Sequence, residues 1–302
     1  MKEVHYYRVE DGLRTHIDEL VEQVFDDCPG ESEYRYISCI AQLDLDEVRE
    51  VVLTQSKGRP ALHIGNLPVY EDVQKSKILT LLLGETIGNC VAYSDYNQSY
   101  ITDIQPSKVS REASSNTGLL PPHSDLAFAD DDCRPRYLML VAHKATGEQV
   151  KTLLCPAQEI DAQLEPDERA ILREPVFELT SGMRLSWRHL RITRLAVLAD
   201  IGDHVQVRFD LAGLRPLAEL SPERRELAIR ALRSVEEISL RVGERDGVVI
   251  QKGEGLLISN DFCLHGRAAF SPAHSSRTLM RAYVVPHEIV QFHHNRMIAL
   301  GR

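Results

Sequence analysis

Apolar residues recur at helical spacing through Leu13–Phe25, LRTHIDELVEQVF, which predicts an amphipathic helix. The same spacing predicts a helix from Leu45 to about Thr54, with Asp44 placed to cap it, and another around Ser76–Thr86. ALHIGNL at 61–67 reads as a short strand closed by Asn66 and Pro68, and Asn89–Tyr93 and Ser99–Ile104 predict two more. Strands are expected at Arg136–Ala142 and Val150–Cys155, with a turn at Ala145–Glu148 between them. Pro166 divides the helical pattern of Pro156–Arg173 into two short helices. Val176–Thr180 and Met183–Leu195 follow as further segments, and Val205–Asp210 is a strand candidate. The strongest helical pattern, Ser221–Val242, opens on Ser221-Pro222-Glu223, a cap residue followed by proline at the first helical position. The end is strand-rich: Gly247–Gln251, Gly255–Ser259, Asp261–His265 and Leu279–Val285.

Helices early, strands through the middle, one long inserted helix and a strand-rich end predict an α+β chain around an antiparallel barrel or jelly roll. Pattern alone does not separate a jelly roll from another mixed sandwich. Residues 1–302 read as one domain, with a helical N-terminal part over about 1–60 and a helical insert over about 156–245. The polar, serine-rich stretch QPSKVSREASSNTG, 105–118, reads as a loop long enough to serve as an active-site lid.

Composition removes several classes. The formal net charge of -10 argues against a nucleic-acid-binding surface, which needs a basic stripe. No apolar run approaches the length of a membrane span, and MKEVHYYRVEDG lacks the hydrophobic stretch of a secretory signal. The six cysteines, Cys28, Cys39, Cys90, Cys133, Cys155 and Cys263, are scattered without a CxxC pair. They read as buried thiols of a reduced cytoplasmic protein, not as a disulfide or zinc framework.

The candidate chemistry lies in two distant stretches. With 12 histidines and 45 acidic residues in 302, about two His-x-Asp/Glu triplets are expected by chance. His16-Ile17-Asp18 falls in the first helix, where residues two apart point to different sides. His123-Ser124-Asp125 follows Pro121-Pro122, which disfavours helix; in an extended segment its imidazole and carboxylate share one face. His265, in the apolar run ISNDFCLHGR, supplies a second imidazole. Two imidazoles and one carboxylate on one face of an octahedron leave three positions open, the arrangement of non-haem Fe(II) oxygenases. A bidentate 2-oxo acid fills two of them and dioxygen the third. The far carboxylate of the keto acid then needs a fixed cation, for which Arg277 is placed, with a hydroxyl from Thr152.

At these residues the chain resembles the clavaminate synthase-like branch of the taurine-dioxygenase superfamily, Fe(II)/2-oxoglutarate-dependent oxygenases. DIQPSKVSREASSNTGLLPPHSDLAF resembles the stretch leading into that family's first metal ligands, and HGRAAFSPAHSSRTLMRAYV its closing stretch. The match runs from about Tyr93 to Cys155 and from Gly253 to Val285. The resemblance implies a double-stranded β-helix (jelly-roll) core with flanking helices. It makes His123, Asp125 and His265 the iron ligands, with Arg277 and Thr152 on the 2-oxoglutarate carboxylate. Many amino-acid hydroxylases of the branch have glutamate where this chain has Asp125, so a ligand contact to the substrate amine does not carry over. Related halogenases lack the carboxylate, so its presence implies hydroxylation.

The same resemblance implies a free amino acid as substrate. Arg281 resembles the arginine that holds the substrate α-carboxylate, and Asn116 a residue that contacts the amino-acid backbone. Asp210, in VRFD, resembles an acidic position that meets the substrate side chain, implying a basic or amide group there; Arg208 beside it could equally signal an acidic one. Gln98 is a further candidate for the amine. The implied activity is hydroxylation of an unactivated C–H by Fe(II), 2-oxoglutarate and O2, without nucleic acid or membrane as partner. Other readings stay open: another small acid or a carrier-tethered amino acid as substrate, desaturation or epoxidation as outcome, and, in a different class, a non-catalytic jelly-roll metal-binding protein.

Overall fold

The computed structural model describes residues 4–94, 98–105, 117–144, 149–180, 192–270, 277–290 and 294–300. The first third contains β1 (Val4–Arg8), α1 (Asp11–Asp27), α2 (Glu33–Ile40), α3 (Asp46–Ser56), β2 (Ala61–Gly65), α4 (Val73–Glu85), β3 (Asn89–Tyr93) and β4 (Ile101–Ile104). The middle contains β5 (Leu120–His123), β6 (Tyr137–Lys144), β7 (Thr152–Pro156), α5 (Ala157–Gln163), α6 (Pro166–Leu172), β8 (Phe177–Thr180) and β9 (Ile192–Leu195). Then come β10 (Leu198–Ile201), β11 (His204–Val207), β12 (Leu214–Pro216), α7 (Pro222–Asp246), β13 (Gly255–Ser259), β14 (Cys263–Arg267), β15 (Thr278–Val285), α8 (His287–Val290) and β16 (Met297–Ile298).

Two sheets matter for the site. The larger has eight strands in the path β1-β2-β13-β6-β15-β3-β16, with β4 also paired to β15. The smaller has the order β5-β14-β7. Alternation along β15 sorts its side chains between two cores. Met280, Ala282 and Val284 join the outer core under α1, α2 and α4; Leu279, Tyr283 and Val285 join the inner core. Helix α4 is buried along nearly its whole length, which its run of leucines permits. On the far side, α7 packs against β7. Its start is set by Ser221, whose hydroxyl accepts from the Arg224 N–H at 3.3 Å, and by Pro222 in the first turn. No helix among the described residues is long and apolar enough to cross a membrane.

Several expectations need correcting. The N-terminal part is not wholly helical: β1 lies along β2 in parallel and extends the large sheet. Helix α2 has no long periodic pattern and owes its place to burial of Tyr36, Ile37 and Ile40. The segment expected as a helical insert also carries β8 to β12. Gly247–Gln251 is not a strand; Val248 makes an isolated bridge to Thr152, because the chain leaves α7 there and turns. Cys28 and Cys39 are joined in a disulfide between the end of α1 and α2, against the expectation of six unlinked thiols. Packing of two helices brings together sulfurs that no sequence motif pairs. Cys90, Cys133, Cys155 and Cys263 are buried thiols. The expected turn at Ala145–Glu148 and most of the expected 105–118 loop lie outside the described residues, as does Met183–Arg191.

Candidate metal centre and its cavity

Strand β5 forms one edge of the small sheet, where Pro121 and Pro122 cost no ladder hydrogen bonds on the open side. It ends at His123, whose register partner across β14 is His265. The register slips between His265 and Arg267, and Gly266 makes this possible: a Cβ there would lie 2.4 Å from the Leu120 carbonyl oxygen. The glycine after the histidine therefore lets β5 approach closely enough to set the two imidazoles side by side, ring centroids 4.7 Å apart.

Asp125 lies just beyond β5 and is held by its backbone. Its N–H donates to Asn260 Oδ1 at 2.8 Å, and Asn260 Nδ2 donates to the Asp125 and Pro135 carbonyls, both at 2.9 Å. Asn260 is fully buried. Ser124 N–H donates to the Phe209 carbonyl at 2.7 Å and its hydroxyl to that of Val207 at 3.2 Å. Leu126 then turns the chain with φ of 51°, left-handed backbone that a leucine rarely adopts. Arg208 donates to the carbonyls of Ala127 and Ala129, fixing the segment that follows.

The result is a tight donor set. His123 Nε2 lies 3.2 Å from Asp125 Oδ1 and His265 Nε2 3.5 Å from Oδ2. One potential ligand atom from each of the three residues falls within 4.8 Å of the others. A first-row divalent ion with bonds of about 2.1 Å places ligands at right angles about 3.0 Å apart. The separations present are close to that, and the donor types are those of an open-faced iron site.

Burial works to raise the Asp125 pKa, but the Arg281 guanidinium and the two histidines outweigh it and hold the carboxyl well below the usual range. The same burial pushes His265 down, towards the neutral imidazole that binds metals. For His123 burial also works downward, yet its bond to Asp125 raises it overall.

A cavity of about 130 Å³ between the two sheets holds all three residues. Arg277 and Thr152 meet in its wall: Arg277 Nη2 donates to Thr152 Oγ1 at 3.0 Å. Burial, with Arg267 nearby, lowers Arg277 to about 10, so it stays charged at neutral pH. Arg281 enters from the same strand face, its Nη1 3.0 Å from Asp125 Oδ2. Tyr283, two residues on, donates its hydroxyl to the same oxygen at 3.1 Å. Among the described residues lining the cavity are three guanidinium groups, those of Arg267, Arg277 and Arg281, and one carboxylate, Asp125.

Of the remaining candidates, Gln98 is not brought to this cavity. It is exposed, and its amide donates to the Ser94 carbonyl. Asp210 is half-buried and accepts from the Ala212 N–H at 3.1 Å, closing a turn, while close enough to His123 to raise its pKa. Asn116 lies outside the described residues. Sequence reading missed Asn260, Tyr283 and Arg267. Period-two spacing from Arg277 signals Tyr283; nothing local signals Asn260, whose role exists only when β13 and the Asp125 turn meet.

No family model matches the chain. It is 26% identical over 216 residues to the L-lysine 3-hydroxylase of Catenulispora acidiphila, across 68% of this chain and 57% of that protein. Among solved structures, it superposes on asparagine oxygenase in complex with Fe(II), 2S,3S-3-hydroxyasparagine and succinate with a TM-score of 0.80 at 17% identity, over 99% of both chains. The fold is that of the iron oxygenases. A second structure, the non-haem iron oxygenase OrfP with Fe, succinate and (3R,4R)-dihydroxy-L-Arg, matches with a TM-score of 0.71 at 16% identity over 93% of this chain and 94% of OrfP. The α+β, jelly-roll architecture implied by the two motif stretches is thus the observed one.

Proposed function

We propose that the protein is an Fe(II)/2-oxoglutarate-dependent oxygenase that hydroxylates an unactivated C–H of a free L-amino acid with a basic or amide side chain. The observation that carries this reading is the convergence, in one inter-sheet cavity, of two imidazoles, one carboxylate and a buried arginine hydrogen-bonded to a threonine. A bare metal-binding module has no use for the last pair. The sequence relative is a lysine hydroxylase, and the two structural relatives hold hydroxylated asparagine and arginine, which supports a side chain of this class.

In this reading His123, Asp125 and His265 hold the ferrous ion, residues 1–302 act as one catalytic unit, and the protein works in the cytoplasm. The bound ion with its keto acid and dioxygen supplies the oxidising power. The chain supplies placement. Arg277 and Thr152 grip the distal carboxylate of 2-oxoglutarate, a charge-assisted pairing made stronger by burial. Arg281 and Asn116 take the substrate's α-carboxylate and backbone, and Asp210 faces its side chain. Asn260 keeps Asp125 aimed by holding its peptide from both sides.

The test is a screen of the twenty common amino acids for stimulated succinate release in the presence of Fe(II), 2-oxoglutarate and air. Lysine, arginine, asparagine or glutamine should stimulate it. A weak visible band from Fe(II) and 2-oxoglutarate without oxygen, but no response to any amino acid, would move the substrate to another small acid or a carrier-tethered residue. Absence of the band would leave a non-catalytic metal-binding protein.

A further inference from the structure

We propose that the protein carries a second ligand site, for a small organic anion, at the end of the jelly roll away from the keto-acid arginine. A cavity of about 400 Å³ opens there, within the range of small-molecule sites and larger than the metal cavity. The two cavities share no lining residue. Pro156 marks the place: it pairs with Cys263 at one end of the β7–β14 ladder, while Thr152, at the other end, pairs with Arg267. The wall is closed on the far side by the turn that joins α3 to β2, Lys57-Gly58-Arg59.

The charges define the ligand. Lys57 and Arg59 line the cavity and, among the described residues, no acidic side chain does, in a chain whose net charge is -10. Among the described residues Arg59 makes no salt bridge, and its Nη1 is buried with no hydrogen-bond partner. Two cationic side chains in one lining, with no acidic side chain beside them, suit an oxyanion. The negative end of the α3 dipole does not oppose this strongly, because the Leu53 carbonyl already accepts from the Lys57 N–H at 3.0 Å and the Ser56 hydroxyl at 3.3 Å. The remainder of the wall suits an apolar body. Phe262 lies beside His204, ring centroids 5.4 Å apart, and Pro60 and Pro156 flank them. Tyr137 and Ser259, register partners on β6 and β13, add two hydroxyl groups. The shared chemistry is therefore a carboxylate or phosphate head on a planar or apolar body.

This site stands apart from the iron reading and is tested without activity. The full chain is titrated calorimetrically with phenyl phosphate, phenylacetate and inorganic phosphate, in the wild type and in Arg59→Met and Arg277→Met variants. Expected is saturable 1:1 binding of at least one aromatic anion with Kd of about 1 mM or tighter, weakened about tenfold or more by Arg59→Met and unchanged by Arg277→Met. Tighter binding of phenyl phosphate identifies a phosphate ester as the natural class; tighter phenylacetate, a carboxylate. Should Arg59→Met fail to fold, Arg59→Lys keeps the charge and loses the planar fork, and should weaken binding several-fold. Binding untouched in the Arg59 variants, or lost in Arg277→Met, overturns the site. Inorganic phosphate binding as tightly as phenyl phosphate overturns its apolar half.

Discussion

The two faces of β15 are built from alternate residues of one strand, yet they are stabilised in different ways. Met280, Ala282 and Val284 sit in the outer core, where each contributes by the area it removes from water, largely independently of its neighbours. Arg281 and Tyr283, on the inner face, share one oxygen of Asp125, which in turn lies between two histidines. There no member has a value of its own: each charge is tolerable only while the others are present. An apolar face degrades gradually under mutation, whereas the polar face depends above all on the carboxylate its members share.

The sharpest break of that contrast is Asp125→Ala. It should abolish iron-dependent turnover and also expose the cost of a buried arginine robbed of its carboxylate, about 3–5 kcal/mol in a denaturant titration. Retained turnover, or unchanged stability, would mean that the inner face is not coupled. Next comes the outer face: Met280→Ala should cost about 2–5 kcal/mol while leaving the iron affinity of the folded molecules as it was. A matching loss of iron affinity would erase the distinction between the faces. Arg277→Met removes the charge-assisted grip proposed for the keto acid, and the 2-oxoglutarate KM should rise about 10–100-fold with little change in melting temperature. Tyr283→Phe deletes one hydrogen bond to Asp125 and should cost about 1 kcal/mol, read from the denaturation midpoint. The smallest effect is pH-dependent and belongs to the outer side. Buried His143, bonded to Ser76 at 2.8 Å, has its pKa lowered, chiefly by burial, below the ordinary value near 6.5. The unfolded chain then binds more protons in mildly acid solution, so stability falls as pH drops below that value. His143→Gln should flatten this slope between neutral and mildly acid pH; an unchanged slope would assign it to other groups.

Much of this was legible along the chain because it depends on local periodicity. Strand β13 falls at Gly255–Ser259, within the strand-rich end that the sequence predicts, and the Ser221 cap opens α7 as expected. The spacing His123-x-Asp125 after two prolines, and the period of two from Arg277 to Arg281, placed the polar groups on common faces. Gln98 shows the limit: it precedes a strand near the site in sequence, but a left-handed turn leaves it exposed. Asp210 shows another, since its carboxylate closes a turn as well as lying near His123.

What the amino-acid order determined by itself was which residues can share a face and which donor types are present, because backbone geometry repeats every two or 3.6 residues. What only the folded chain decided was which faces meet. The β5–β14 register, the close approach that Gly266 permits, the Asn260 clamp and the Cys28–Cys39 link all join segments far apart in the chain or across a helix boundary. Such contacts are selected by the packing of the whole core, and no local pattern carries that information.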